Sequence, residues 1–125
     1  MSTSTRFLLA LGIFAAGCQP HYDGLRIRKL NGTGRFSAEG LEIVEGQALA
    51  VEVTALSDNP YEDYEEFDII EMRSFNEHIV LVAPADDIDR FVFVGAAVGE
   101  SAVEVVINGE NVDTITAIVS PQGAP

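Results

Sequence analysis

The sequence predicts an all-β domain, a sandwich of two packed sheets, preceded by an export signal. Three observations carry that prediction. From Leu25 onward no useful window keeps a 3.6-residue apolar period. Alternating stretches and short apolar runs recur instead, separated by Gly, Asn, Asp and Pro. About seven or eight such segments fit into roughly 95 residues, which suits a two-sheet sandwich. A barrel of the same strands is the alternative, but barrel strands alternate all the way round, and two of these runs are apolar on both faces.

The elements follow in order. Leu25 and Ile27 alternate with Arg26 and Arg28 until Asn31-Gly-Thr-Gly34 breaks the run. Leu41, Ile43 and Val44 form the next segment, and Glu45-Gly46 turns it. Residues 48–56 make the clearest early strand, with Leu49, Val51, Val53 and Ala55 on one face. Its other face carries Ala50, Glu52 and Thr54, so one side is expected in the core and one in water. After an acidic loop come residues 67–73, then the wholly apolar runs 79–82 and 91–94. Val103, Val105 and Ile107 alternate up to Asn108-Gly109, a pair suited to the left-handed dihedrals of a tight hairpin. Residues 112–119 return, with Ile115, Ala117 and Val119 on one face.

Length and composition bound the function. The chain has 125 residues, enough for one domain, with 7 basic and 20 acidic side chains and a net charge of −13. A nucleic-acid binder needs clustered Lys and Arg to meet phosphate, so that class is excluded. One cysteine excludes an internal disulfide and any zinc site built from cysteines.

The first residues read as an address. Residues 1–6 are polar with one positive charge, and residues 7–16 (FLLALGIFAA) carry no charge. A bilayer span needs about 20 apolar residues, so this run fits a secretory signal instead. Ala15, Ala16 and Gly17 then precede Cys18, the only thiol. This arrangement resembles the lipobox of bacterial lipoprotein precursors, although Ala15 stands where that family prefers Leu. The resemblance implies cleavage before Cys18, a diacylglyceryl group on its sulfur and an acylated new amino terminus. Two acyl chains suffice for stable anchoring without a transmembrane helix. Ordinary secretion with cleavage near Ala16 or Gly17, or an uncleaved anchor, are the alternatives. The expected organisation is a signal peptide over 1–17, a lipidated Cys18 and tether over 18–24, a sandwich over 25–120 and a tail over 121–125. Loss of Arg6 with the signal leaves six basic against twenty acidic residues, a charge of −14. Anionic head groups repel such a body, which favours a domain held off the membrane. Gln19, in place of the Asp that retains enteric lipoproteins at the inner membrane, implies the outer membrane.

A second resemblance covers about residues 41–119. Ser74-Phe-Asn76-Glu-His-Ile79-Val-Leu-Val82 is similar to the Ser-x-Asn-x-x-Val-x-x-Val stretch of bacterial immunoglobulin-like domains of group 2, modules of intimins, invasins and other surface proteins. The turn at Gly95 and Gly99 running into Val103 and Val105 matches their pattern too, as does Ile43-Val44-Glu45-Gly46-Gln47 before a long alternating strand. The resemblance implies an immunoglobulin-like sandwich, with Met72 or Ile70 where many relatives carry a core Trp. It implies binding, adhesion or scaffolding at the cell envelope rather than catalysis. Loops or an exposed sheet edge would make the contacts. The partner is left open, and a monomer is expected.

Candidate sites are few. Asp58, Glu62, Asp63, Glu65, Glu66 and Asp68 crowd one loop and could supply several of the six to eight oxygens that Ca2+ takes. Their spacing is not that of an EF-hand, and a solvated acidic loop is the ordinary reading. Tyr61, Tyr64 and Phe67 would let the same loop contact a basic partner. Asp86-Asp87-Ile88-Asp89 reads as a turn whose carboxylates cap local amides. His21 lies in the expected tether and His78 before an apolar strand, and neither stands near a recognisable nucleophile. No enzyme is expected, and no cofactor beyond the calcium alternative.

Overall fold

The alternation of residues 48–56 is realised almost side chain by side chain. In a computed structural model, which describes residues 20–59, 61–65, 68–85 and 88–123, Leu49, Val51, Val53 and Ala55 are all buried. Among the described residues the chain forms nine strands and no helix. They are β1 (Tyr22–Gly32), β2 (Arg35–Ser37), β3 (Gly40–Val44), β4 (Ala48–Ser57), β5 (Ile70–Ser74), β6 (Val80–Pro84), β7 (Arg90–Gly95), β8 (Gly99–Ile107) and β9 (Glu110–Ser120).

Two sheets result, ordered β1-β4-β7-β6 and β2-β3-β9-β8-β5. Neighbours are antiparallel except β3 and β9, which run parallel from Leu41 beside Ala117 to Val44 beside Ser120. This is the immunoglobulin-like sandwich: one sheet in the A-B-E-D order, the other built on C-F-G with two early strands added, β3 beside G and β2 beyond it. Phe36, Leu41, Ile43, Phe91, Phe93, Val103, Val105 and Val119 fill the space between the sheets. The Phe36 ring meets the Phe93 ring edge-on, with centroids 5.0 Å apart. Met72 is buried on β5 and Ile70 packs against the core, so both residues expected in place of a Trp sit there.

The Ser74/Asn76 motif carries the chain between sheets. The Asn76 N–H donates to Ser74 Oγ and Ser101 Oγ, its Oδ1 accepts the His78 N–H, and its carbonyl accepts the N–H groups of Ile79 and Val80. The motif is thus the hinge between β5 and β6. Asn108 and Gly109 both adopt positive φ (52° and 83°) and close the β8–β9 hairpin, as expected.

Three boundaries differ from the sequence reading. The domain starts at Tyr22, inside the expected tether 18–24, because Tyr22 pairs with Ser57 and packs against the core. β2 was not anticipated, since Arg-Phe-Ser offers one apolar residue to pattern on. β5 starts at Ile70 rather than 67, because Asn108 donates to the Asp68 carboxylate and accepts the Ile69 N–H, which holds Asp68 and Ile69 in a loop and leaves Ile69 exposed.

Candidate functional site

The acidic loop, the start of β1 and the β8–β9 hairpin meet at one end of the sandwich. Between them lies a cleft of about 830 Å3, whose walls include Tyr22, Tyr64, Glu62, Asp63, Asp68 and Glu110. Ser57, the last residue of β4, organises its entrance. Its Oγ accepts the N–H groups of His21 (3.2 Å) and Asn59 (3.1 Å) and donates to the Glu62 carbonyl at 3.0 Å. The Asp58 N–H donates to the His21 carbonyl, and the His21 ring stands 3.6 Å from the Asp58 carboxylate. His21, placed in the tether by sequence, is therefore fixed to the body.

Serine, histidine and aspartate adjoin here, but not as a catalytic triad. Ser57 Oγ is engaged by the His21 backbone and gives its proton to a carbonyl, so no base faces a nucleophile.

The floor of the loop is fixed by Asp68. Its Oδ2 accepts the Glu65 N–H at 2.7 Å, and its Oδ1 accepts from Asn108 Nδ2 at 2.9 Å. Asn108 Oδ1 in turn accepts the Ile69 N–H at 2.9 Å. Both carboxylate oxygens thus already serve the loop's own structure. Asp58 is drawn to His21, while Glu62, Asp63 and Glu65 are exposed. Among the described residues no three His, Cys, Asp or Glu side chains are gathered closely enough to hold a metal ion. Glu66 and Phe67 lie outside the described residues, as does Cys18. Of the proposed aromatic anchors, Tyr61 is 92% exposed and Tyr64 half-buried in the cleft wall.

The contact that sequence reasoning missed joins the two sheets. The Tyr22 hydroxyl donates to Asp113 Oδ2 at 2.7 Å, across 91 residues of chain. Burial, and then this bond, push the Tyr22 phenol well above the usual tyrosine range. Burial also raises Tyr64, with Asp68, Glu110 and Asp58 adding to it. Two protonated phenols ringed by carboxylates make a cleft that suits a cationic side chain: charge meets the carboxylates and the alkyl stem meets the rings.

The second acidic cluster, expected to cap local amides, is described only in part. Asp86 and Asp87 lie outside the described residues. Asp89 turns at φ 64°, and its carbonyl accepts the Val53 N–H of the neighbouring strand at 2.8 Å. Its Oδ1 is buried without a partner, and burial, then the nearby Glu52, raise its carboxyl above the usual range. Glu52 itself is lowered by hydrogen bonds from Arg28 first and then Arg90.

No protein-family model matches the chain, and no curated protein does. Solved structures do match its fold. The S-layer protein SbsC, domains 4 and 5, aligns at TM-score 0.53 and 11% identity, covering 76% of this chain and 54% of that one. SbsC domains 1–6 align at 0.56 and 12%, covering 84% and 14%. SbsC domains 5–6 align at 0.55 and 13%, covering 80% and 47%. The chain thus spans about half or less of each of these structures. What it shares with them is the two-sheet immunoglobulin-like sandwich.

Proposed function

We propose that this chain is a non-catalytic structural or binding module of the bacterial cell envelope, held to the membrane by lipid on Cys18. The observation that supports it best is the likeness of the sandwich, over about four-fifths of the chain, to domains of a surface-layer protein. The lipobox-like Ala15-Ala16-Gly17-Cys18 supplies the anchor, and Gln19 directs it to the outer membrane. The acidic cleft is the surface for a basic segment of a neighbouring envelope protein.

The test is Cys18→Ser, followed by membrane fractionation and intact-mass measurement of the exported protein. The wild type stays with the membrane and carries the mass of a diacylglyceryl group and an acyl chain. The variant is released or remains unprocessed. An exported wild type whose sulfur is bare, or a variant that still fractionates with membranes, overturns the anchor.

A further inference from the structure

The two outward faces of the sandwich differ in charge. On the first sheet, Ala48 lies beside Val94 and Val94 beside Leu81, with Ala50 beside Val92 in the next row. One row further, Arg28 and Arg90 flank Glu52 at 2.8 and 3.1 Å, and Arg26 follows beside Thr54. Among the described residues three guanidiniums thus stand against Glu52 and the half-buried Asp89 near it, next to an apolar patch whose Leu81 is 44% exposed. The outward face of the second sheet instead sets Glu42, Glu71, Glu100 and Glu104 against Arg35 and Arg73.

The anchor makes this difference matter. His21 is fixed to the end of β4, so only residues 19 and 20 separate it from Cys18. Three extended peptide steps reach about 10 Å, close to the Debye length of about 8 Å at physiological ionic strength. The long tether that would hold an acidic body clear of the lipid is therefore missing, and the charges feel the surface. Standing on the cleft end would press Asp58, Glu62 and Asp63 toward anionic head groups. Lying on the second sheet would present a net acidic face. Arg35, Arg73 and the exposed Ile118 share the second face with more carboxylates than cations, whereas on the first sheet the apolar patch adjoins a cluster in which, among the described residues, guanidiniums outnumber carboxylates.

We infer that the domain lies on an anionic bilayer through the outward face of its first sheet, with Arg26 and Arg28 on lipid phosphates and Leu81 at head-group depth. The inference rests on the lipid-anchor reading, and its test is separable from it. Residues 18–125 are coupled through the sole thiol, that of Cys18, to a maleimide lipid in phosphatidylethanolamine–phosphatidylglycerol vesicles. Orientation is then read whether or not the cell acylates Cys18. The chain has no Trp, so Leu81→Trp on one face and Ile118→Trp on the other are clean reporters. Brominated lipid should quench the Leu81→Trp protein at least about threefold more strongly than the Ile118→Trp protein, and adding Arg26→Glu with Arg28→Glu should abolish the excess. Equal quenching at both positions, stronger quenching at Ile118→Trp, or an excess indifferent to the arginines overturns the proposal. The same would hold if the face is kept for a protein partner.

Discussion

The two ends of the sandwich are closed by different means. At one end backbone meets backbone: Gly46 N–H donates to the Gly95 carbonyl, Gly95 N–H to that of Gln47, and Glu45 N–H to that of Ser120. At Gly95 and Gly32 a side chain is excluded. A Cβ on Gly95 would lie 2.7 Å from the Val44 oxygen, and one on Gly32 2.1 Å from the Ala48 oxygen. At the other end side chains make the closure: Ser57, Asp68, Asn108 and the Tyr22–Asp113 bond hold a long loop over a cleft. A backbone-closed end fixes the fold and admits little change. A side-chain-closed end can be altered without losing the sheets, which makes it the place for recognition.

One substitution made at both ends would test this contrast most severely. Gly32→Ala places a methyl into a backbone oxygen at φ +95° and should cost about 3 kcal/mol or more. That corresponds to a melting temperature lower by at least about 12 °C. Gly109→Ala in the β8–β9 hairpin has the same left-handed strain (φ +83°) but open space around it, so it should cost only about 1–2 kcal/mol. Similar losses in the two thermal melts would mean that crowding does not set the ends apart.

A middle-sized effect is expected at the sheet-to-sheet bond. Tyr22→Phe removes one hydrogen bond to Asp113 and should cost about 1 kcal/mol at neutral pH. Its pH dependence has a definite sign. An unfolded tyrosine ionises near pH 10, while the folded Tyr22 phenol is held protonated well above that, so folding is favoured in full below about pH 10. As pH climbs further this contribution is lost, and the gap between wild type and Tyr22→Phe should close. Urea titrations at pH 7 and pH 11 check it, and a constant gap would place the Tyr22 phenol in the ordinary range.

The same contrast decides what was legible in the sequence. Apolar alternation marked β4, β8 and β9, and the Asn108-Gly109 hairpin, because one face of each strand must be buried and a two-residue turn demands particular dihedrals. Sheet partition was less legible. β2 is only three residues long, and the parallel pairing of β3 with β9 joins segments about 75 residues apart. The acidic loop was visible as composition, but its order depends on Asn108, forty residues away from Asp68. Tyr22 read as tether because nothing nearby in sequence hints at Asp113.

Calcium should produce the smallest effect, and it sharpens the reading of the cleft end. A site with a Kd of about 1 mM, in about 1 mM Ca2+, would add about 0.4 kcal/mol, or about 2 °C in melting temperature. The loop should respond by less than that. Asp68 spends both oxygens on Glu65 N–H and Asn108, Asp58 faces His21, and the exposed Glu62, Asp63 and Glu65 are not gathered round a common point. Like charges left in water repel weakly at physiological ionic strength, so drawing them onto an ion gains little and costs loop entropy. A rise of several degrees would show that the carboxylates of this loop reorganise round the metal, and the cleft end would then be closed by an ion rather than by its own side chains.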